Sequence, residues 1–122
     1  MEWKIRGDLP IYSQLVEQIR LAIVSGSILP GEKLPAVRDL AAEAGVNPNT
    51  MQRALQELER EGMVFTQRTA GRYVTEDMRV IDRAKEKLAD ELIRGFLDAM
   101  QKLGYQRAEI VALLEEERDV DS

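Results

Sequence analysis

The feature that most limits how this chain can fold is the break Gly45-Val46-Asn47-Pro48, set between two apolar helical stripes. Before it, Val37, Leu40, Ala41 and Ala44 recur at three and four residues, the spacing of one buried helix face. After it, Met51, Ala54, Leu55 and Leu58 do the same, with Asn49, Gln52, Arg53 and Gln56 on the opposite side. Gly45 stops the first pattern, and Asn47 offers a side-chain oxygen that can cap the second. Pro48 suits a first helical position, where a backbone N–H has no intrahelical partner to lose. Two short helices joined by a three- or four-residue turn predict a helix-turn-helix, although the spacing alone fits two helices of an ordinary bundle equally well.

The flanking segments shift that balance. Upstream, Ile11, Leu15, Ile19, Ala22 and Ile23 share one helical face that ends near Gly26. Ile28-Leu29-Pro30-Gly31 reads as a type II turn, and the second helix is predicted to begin near Pro35. Downstream of Gly62, two β-prone runs, Met63 to Thr66 and Arg72 to Thr75, are separated by Gln67-Arg68-Thr69-Ala70-Gly71, a hairpin loop. A hairpin directly after the second helix is what a winged helix-turn-helix requires. At Thr75-Glu76-Asp77 the strand signal stops. Beyond it Ile81, Ala84, Leu88, Leu92, Phe96, Met100 and Leu103 stripe one long helix, widened by Ala89, Ile93 and Leu97, and after Gly104 a shorter one carries Ile110, Leu113 and Leu114. The expected fold is therefore mainly α with a small β-hairpin. A winged helix-turn-helix over residues 1–77 precedes a two-helix segment over 78–122, whose acidic tail from Glu115 is expected to fray.

Composition excludes much chemistry. The 122 residues contain neither His nor Cys, so no Ser/His triad, thiolate nucleophile or His/Cys zinc site can be built. No phosphate-cradling Gly-rich loop ends in Lys-Ser or Lys-Thr, and the many carboxylates sit on helical surface positions beside Lys and Arg. Neither an enzyme nor a cofactor is expected. No apolar run reaches the ~20 residues of a membrane span, and the opening MEWKIRGDLP lacks a secretion signal, so a cytoplasmic protein is expected. The net charge of −5 disfavours indiscriminate nucleic-acid binding, so a DNA face needs local clustering of Lys33, Arg38, Arg53, Arg68 and Arg72. Trp3, Tyr12 and Tyr73 are read as packing residues, and Met51, Met63 and Met100 as core or interface.

From Pro10 to Val74, the motifs PIYSQL, SGSILPGEKLPAVRDLAAEAGVNPNTMQRALQELEREGMV and the closing GRYV resemble, in order, the GntR family of transcription regulators. VNPNT followed by QRALQELEREG resembles its YtrA subgroup, whose members carry a short two-helix C-terminal segment in place of a large effector domain. The resemblance implies that Arg38 contacts DNA near the start of the second helix. It also implies that Asn47, Pro48, Asn49, Thr50 and Gln52 form the end of the recognition helix that enters the major groove. Asn49 and Gln52 would face bases, Thr50 a phosphate, while Asn47 can cap the helix without reading anything. Arg53 would reach phosphate from the flank or face solvent. The wing departs from the family pattern R-G-x-G-T-F-V, with Thr69 where a glycine is common and Arg72 where Thr is frequent; Arg68, Thr69 and Arg72 are candidate minor-groove or phosphate contacts.

The partners expected are double-stranded operator DNA and a second copy of the chain, with Ile81, Leu88, Leu92, Ile93, Phe96, Met100, Ile110 and Leu113 covering one another across the dimer. The expected function is a homodimeric transcription regulator, repressor in type, on a two-fold operator. The alternative is a protein-interaction module on a winged-helix scaffold that does not bind DNA. A small-molecule effector is unknown from sequence; the residues from Arg79 onward are too few to enclose a pocket of ~300 Å³ within one subunit.

Overall fold

The structure, a computed structural model, describes residues 1–68 and 70–117. The chain forms seven elements in order: α1 (Ile11–Val24), α2 (Val37–Ala44), α3 (Pro48–Arg60), β1 (Val64–Gln67), β2 (Gly71–Val74), α4 (Met78–Lys102) and α5 (Arg107–Glu117). It divides into two compact units, Met1–Lys85 and Glu86–Ser122, with the division inside α4. The fraying expected from Glu115 is not seen as far as Glu117, where α5 ends, and the remaining tail lies outside the described residues.

In the first unit three helices pack around one core. Leu15, Ile19 and Ile23 of α1 meet Leu40 and Ala41 of α2 and Met51, Leu55 and Leu58 of α3, with Met63, Val64 and Val74 closing it from the hairpin side. Gly45 ends α2 with φ +72, a left-handed conformation that costs a residue bearing a Cβ. Its N–H reaches the Ala42 carbonyl and that of Val46 the Ala41 carbonyl, so the chain reverses while its last helical carbonyls stay bonded. Only three residues separate α2 from α3.

β1 and β2 pair antiparallel in the register Val64↔Val74, Phe65↔Tyr73, Thr66↔Arg72 and Gln67↔Gly71, and the Phe65 and Tyr73 rings stack with centroids 5.9 Å apart. The other edge of β2 is also paired. Gly31 N–H donates to Val74 O, Val74 N–H to Glu32 O and Leu34 N–H to Arg72 O, each at 2.9 Å, and Lys33 bridges Tyr73. This pairing corrects the expected start of α2. Residues 32–34 are held extended against β2, so Pro35 stays outside the helix, which begins at Val37 after an Ala36 with no side-chain cap. The turn before it is as expected, with Glu32 N–H donating to Leu29 O at 3.0 Å across Pro30 and a Gly31 of φ +79.

The extended start of the chain is fastened to α1 by two glutamines one helical turn apart. Gln18 exchanges hydrogen bonds with the Lys4 backbone at 3.0 and 2.8 Å, and Gln14 with that of Arg6 at 2.7 and 2.8 Å. These bonds hold Trp3 and Ile5 against the core. Asp77 starts α4 by accepting from Arg79 N–H at 3.0 Å, and Ile81, 4% exposed, belongs to the core of this unit. Ile81 is thereby removed from the expected dimer face, since its own chain already covers it.

The second unit holds the rest of α4, a turn at Gly104 and α5. Ile110 is 1% exposed within the single chain, so it too is unavailable to a second copy. Leu88, Met100 and Leu113 are half-buried, while Leu92, Ile93 and Phe96 are exposed, as are Leu103, Tyr105, Val111 and Leu114. Among the described residues no helix is long and apolar enough to cross a membrane.

Candidate nucleic-acid interface

The N-terminal end of α3 stands clear of the core. Asn47 caps it, its Oδ1 accepting from Asn49 N–H at 2.7 Å, and Pro48 occupies the first turn. The Asn47 carbonyl receives Thr50 and Met51 N–H at 3.0 and 3.1 Å, so its side chain and carbonyl are both engaged in starting the helix. Asn47, Pro48 and Asn49 are exposed, and Thr50 is half-buried. Arg38, exposed in the first turn of α2, lines a shallow depression with Ala36, Val37, Asp39, Pro48, Asn49 and Gln52. A second depression shares Ala36 and Val37 with the first and continues to Lys33, Thr66, Gly71 and Arg72. The turn, the recognition-helix end and the base of the wing thus form one continuous surface.

Charge is distributed unevenly over this unit. Arg20 is bonded to Glu61 at 2.6 and 3.0 Å, Arg60 to Glu57, and Arg72 to Glu59. Lys33, Arg38, Arg53 and Arg68, in contrast, make no ion pair among the described residues. In a chain of net charge −5, these four cations around α2, the outer side of α3 and the wing are left unneutralised. Such cations are the groups that pair with phosphates where a protein binds nucleic acid.

Arg53 lies with its guanidinium carbon 4.9 Å from the centroid of the Tyr12 ring, whose hydroxyl donates to Glu57 at 3.4 Å. Tyr12 is therefore more than a packing residue: its ring holds Arg53 against the start of α1 in a cation–π contact. The sequence signal for this pairing was only the aromatic ring of PIYSQL, which does not reveal its partner.

The wing is less open than its sequence suggests. Arg68 is exposed at the hairpin turn, and the expectation for Thr69 lies outside the described residues. The Arg72 side chain is only 15% exposed. Its Nε donates to Glu59, which also accepts from Thr66 Oγ1 at 2.7 Å, and its Nη1 donates to Gln52 Oε1 at 3.3 Å. Burial raises the Glu59 pKa, but the hydrogen bonds from Thr66 and Arg72, with the Arg72 charge, outweigh it and hold the carboxyl below its ordinary value. Arg72, a candidate minor-groove or phosphate contact, is thus engaged by two side chains of α3.

The surface holds no cluster of His, Cys, Asp or Glu fit for a metal among the described residues. The pattern of "Bacterial regulatory proteins, gntR family" matches residues 11–74, from α1 through β2. The "Uncharacterized HTH-type transcriptional regulator YhcF" of Bacillus subtilis is 40% identical over 111 residues, covering 91% of this chain and 92% of that protein. The "HTH-type transcriptional repressor YtrA" of the same organism is 36% identical over 96 residues, covering 77% and 74%. Among solved structures, a GntR family transcriptional regulator from Listeria monocytogenes superposes with a TM-score of 0.84 at 39% identity, over 92% of this chain and 98% of that one. AraR(DBD) in complex with operator ORX1 superposes with a TM-score of 0.56 at 30% identity, over 62% and 96%. A winged helix matched from α1 to β2 by the family pattern, with relatives that are regulators rather than enzymes, places the chain in the gntR family of bacterial transcription regulators, in its YtrA-like subgroup.

Proposed function

We propose that this protein is a transcriptional repressor that binds a two-fold operator as a homodimer, reading sequence with the N-terminal end of α3. The observation that carries this reading is the placement of Lys33, Arg38, Arg53 and Arg68, cations without acidic partners among the described residues, around the exposed polar end of α3. Asn49 and Gln52 then face base edges, Thr50 and Arg38 take phosphates, and Pro48 keeps the first turn compact against the groove. Arg53 and Arg68 hold the duplex from either side. The similar AraR(DBD), solved in complex with operator, supports DNA binding by this chain. Repression is supported by YtrA, a named repressor that matches 77% of this chain.

Dimerisation falls to the second unit. Leu92, Ile93 and Phe96 expose a contiguous apolar stripe on α4, and a second copy supplies the surface that covers it, with half-buried Leu88, Met100 and Leu113 at its margins. Linking two winged domains raises the effective concentration of the second at its half-site.

Titration of operator and scrambled duplexes at several salt concentrations tests the reading head. Gln52→Ala is expected to relax preference at one operator position by about 1–3 kcal/mol. Arg38→Ala is expected to reduce the slope of log affinity against log salt by about 0.9 for each phosphate left without its cation. Unchanged affinity, specificity and salt slope in both variants would remove α3 from the interface.

A further inference from the structure

The function assigned to α3 leaves one arrangement unused: the Glu59–Arg72–Gln52 chain that ties the base of the wing to the recognition helix. Gln52 and Glu59 stand seven residues apart on α3, two helical turns along one side, and the Arg72 side chain of β2 spans them. Glu59 anchors the guanidinium at Nε, helped by Thr66 on the neighbouring strand, and Nη1 of the same planar group meets Gln52 Oε1. Arginine has donors and no acceptor, so the Gln52 atom facing it must be the oxygen. Turning the carboxamide over would press its N–H groups against a cation. The amide is thereby held in one orientation, with its NH2 group left for whatever enters the groove.

We propose that Arg72 is a specificity-determining positioning residue, which makes Gln52 a donor toward guanine rather than a two-way partner of adenine. A free glutamine matches adenine by giving one hydrogen bond to N7 and accepting one from N6. With its oxygen engaged by a guanidinium, Gln52 presents donors, and the positive charge beside it repels the adenine amino hydrogens. Guanine offers two acceptors, O6 and N7, on the same edge. The wing residue therefore sets the base preference of a helix residue without touching the base itself. This inference rests on the assignment of α3 as the reading head.

The test uses the full chain and an operator selected from random duplex DNA, with the Gln52-dependent position found as the one at which Gln52→Ala loses its preference. Affinity is then measured with G·C and A·T at that position for the wild-type chain, Arg72→Thr and Arg72→Lys. The expected result is a preference for guanine of roughly fivefold or more in the wild type. Both variants are expected to move that preference toward adenine, because lysine keeps the charge but cannot bridge Glu59 and Gln52 with a rigid fork. Arg72→Lys also keeps a cation beside Glu59, so it reports on specificity even if Arg72→Thr loosens the wing. An adenine preference in the wild type overturns the proposal. So does a base preference unchanged in both variants, or a uniform loss in Arg72→Thr that Arg72→Lys restores, which is the behaviour of a phosphate contact. If the operator is bound but no position responds to Gln52→Ala, this proposal falls while DNA binding stands; if the chain binds no duplex, both fall.

Discussion

Leu92→Ala is the most informative single change for the quaternary structure, because the residue is 74% exposed in the chain by itself. Full burial of a leucine side chain is worth about 1.5–3 kcal/mol relative to leaving it in water. Covering the exposed three-quarters therefore gains about 1–2 kcal/mol per copy. A two-fold interface contains the residue twice, so the substitution removes about 2–4 kcal/mol from the dimer. At 1.4 kcal/mol per decade, the dimer dissociation constant rises by about 30- to 700-fold, with the retained Cβ pulling the result toward the lower figure. Sedimentation velocity over a concentration series measures this directly. Helix content by circular dichroism is expected to stay unchanged, since the side chain belongs to no intrachain core. A dissociation constant within threefold of the wild type would refute the assignment of the α4 stripe to the dimer.

Three further outcomes follow from local geometry. Asn47→Ala removes the acceptor of Asn49 N–H and is expected to cost about 1 kcal/mol in urea unfolding, with Asn47→Asp retaining most of the stability. Glu59 has a folded pKa below its unfolded value, so its contribution is present above the unfolded pKa of 4.5 and is lost as pH falls through the folded value. The acid limb of a melting-temperature profile should therefore be shallower in Glu59→Gln than in the wild type below about pH 4.5. Gly31→Ala places a Cβ 2.6 Å from Glu76 Oε1 at a φ of +79, and is expected to destabilise the first unit by about 1–2 kcal/mol in the same urea assay.

The helices of the first unit were legible because their ends carry local chemistry: Asn47 as cap, Pro48 after it, Gly45 and Gly62 at the exits. The hairpin was legible from its β-prone runs, with each strand displaced by one residue from its expected position. Contacts made by backbone atoms with no side-chain signature were not legible. The pairing of residues 31–34 with β2 is of that kind, and it moved the start of α2 from Pro35 to Val37. Periodicity showed which face of α4 is apolar but not what covers it. Ile81 and Leu92 share a stripe, yet the first completes the intrachain core and the second faces solvent. At the candidate interface, Arg38, Asn49 and Gln52 were named by the resemblance to the GntR family, and the fold places them around one depression. The engagement of Arg72 with Glu59 and Gln52 did not, since it joins residues on different elements that only the fold brings together.

Selection of bound sequences from random duplex DNA by the 122-residue chain tests the central claim most directly. A homodimer reading DNA through α3 is expected to enrich an inverted repeat whose half-sites lie about one helical turn, ~10 base pairs, or a multiple of it apart. Enrichment should weaken steeply as salt is raised, as counterion release requires. Recovery of no common sequence, or of a single unrepeated half-site bound with full affinity, would contradict a dimeric operator-binding protein.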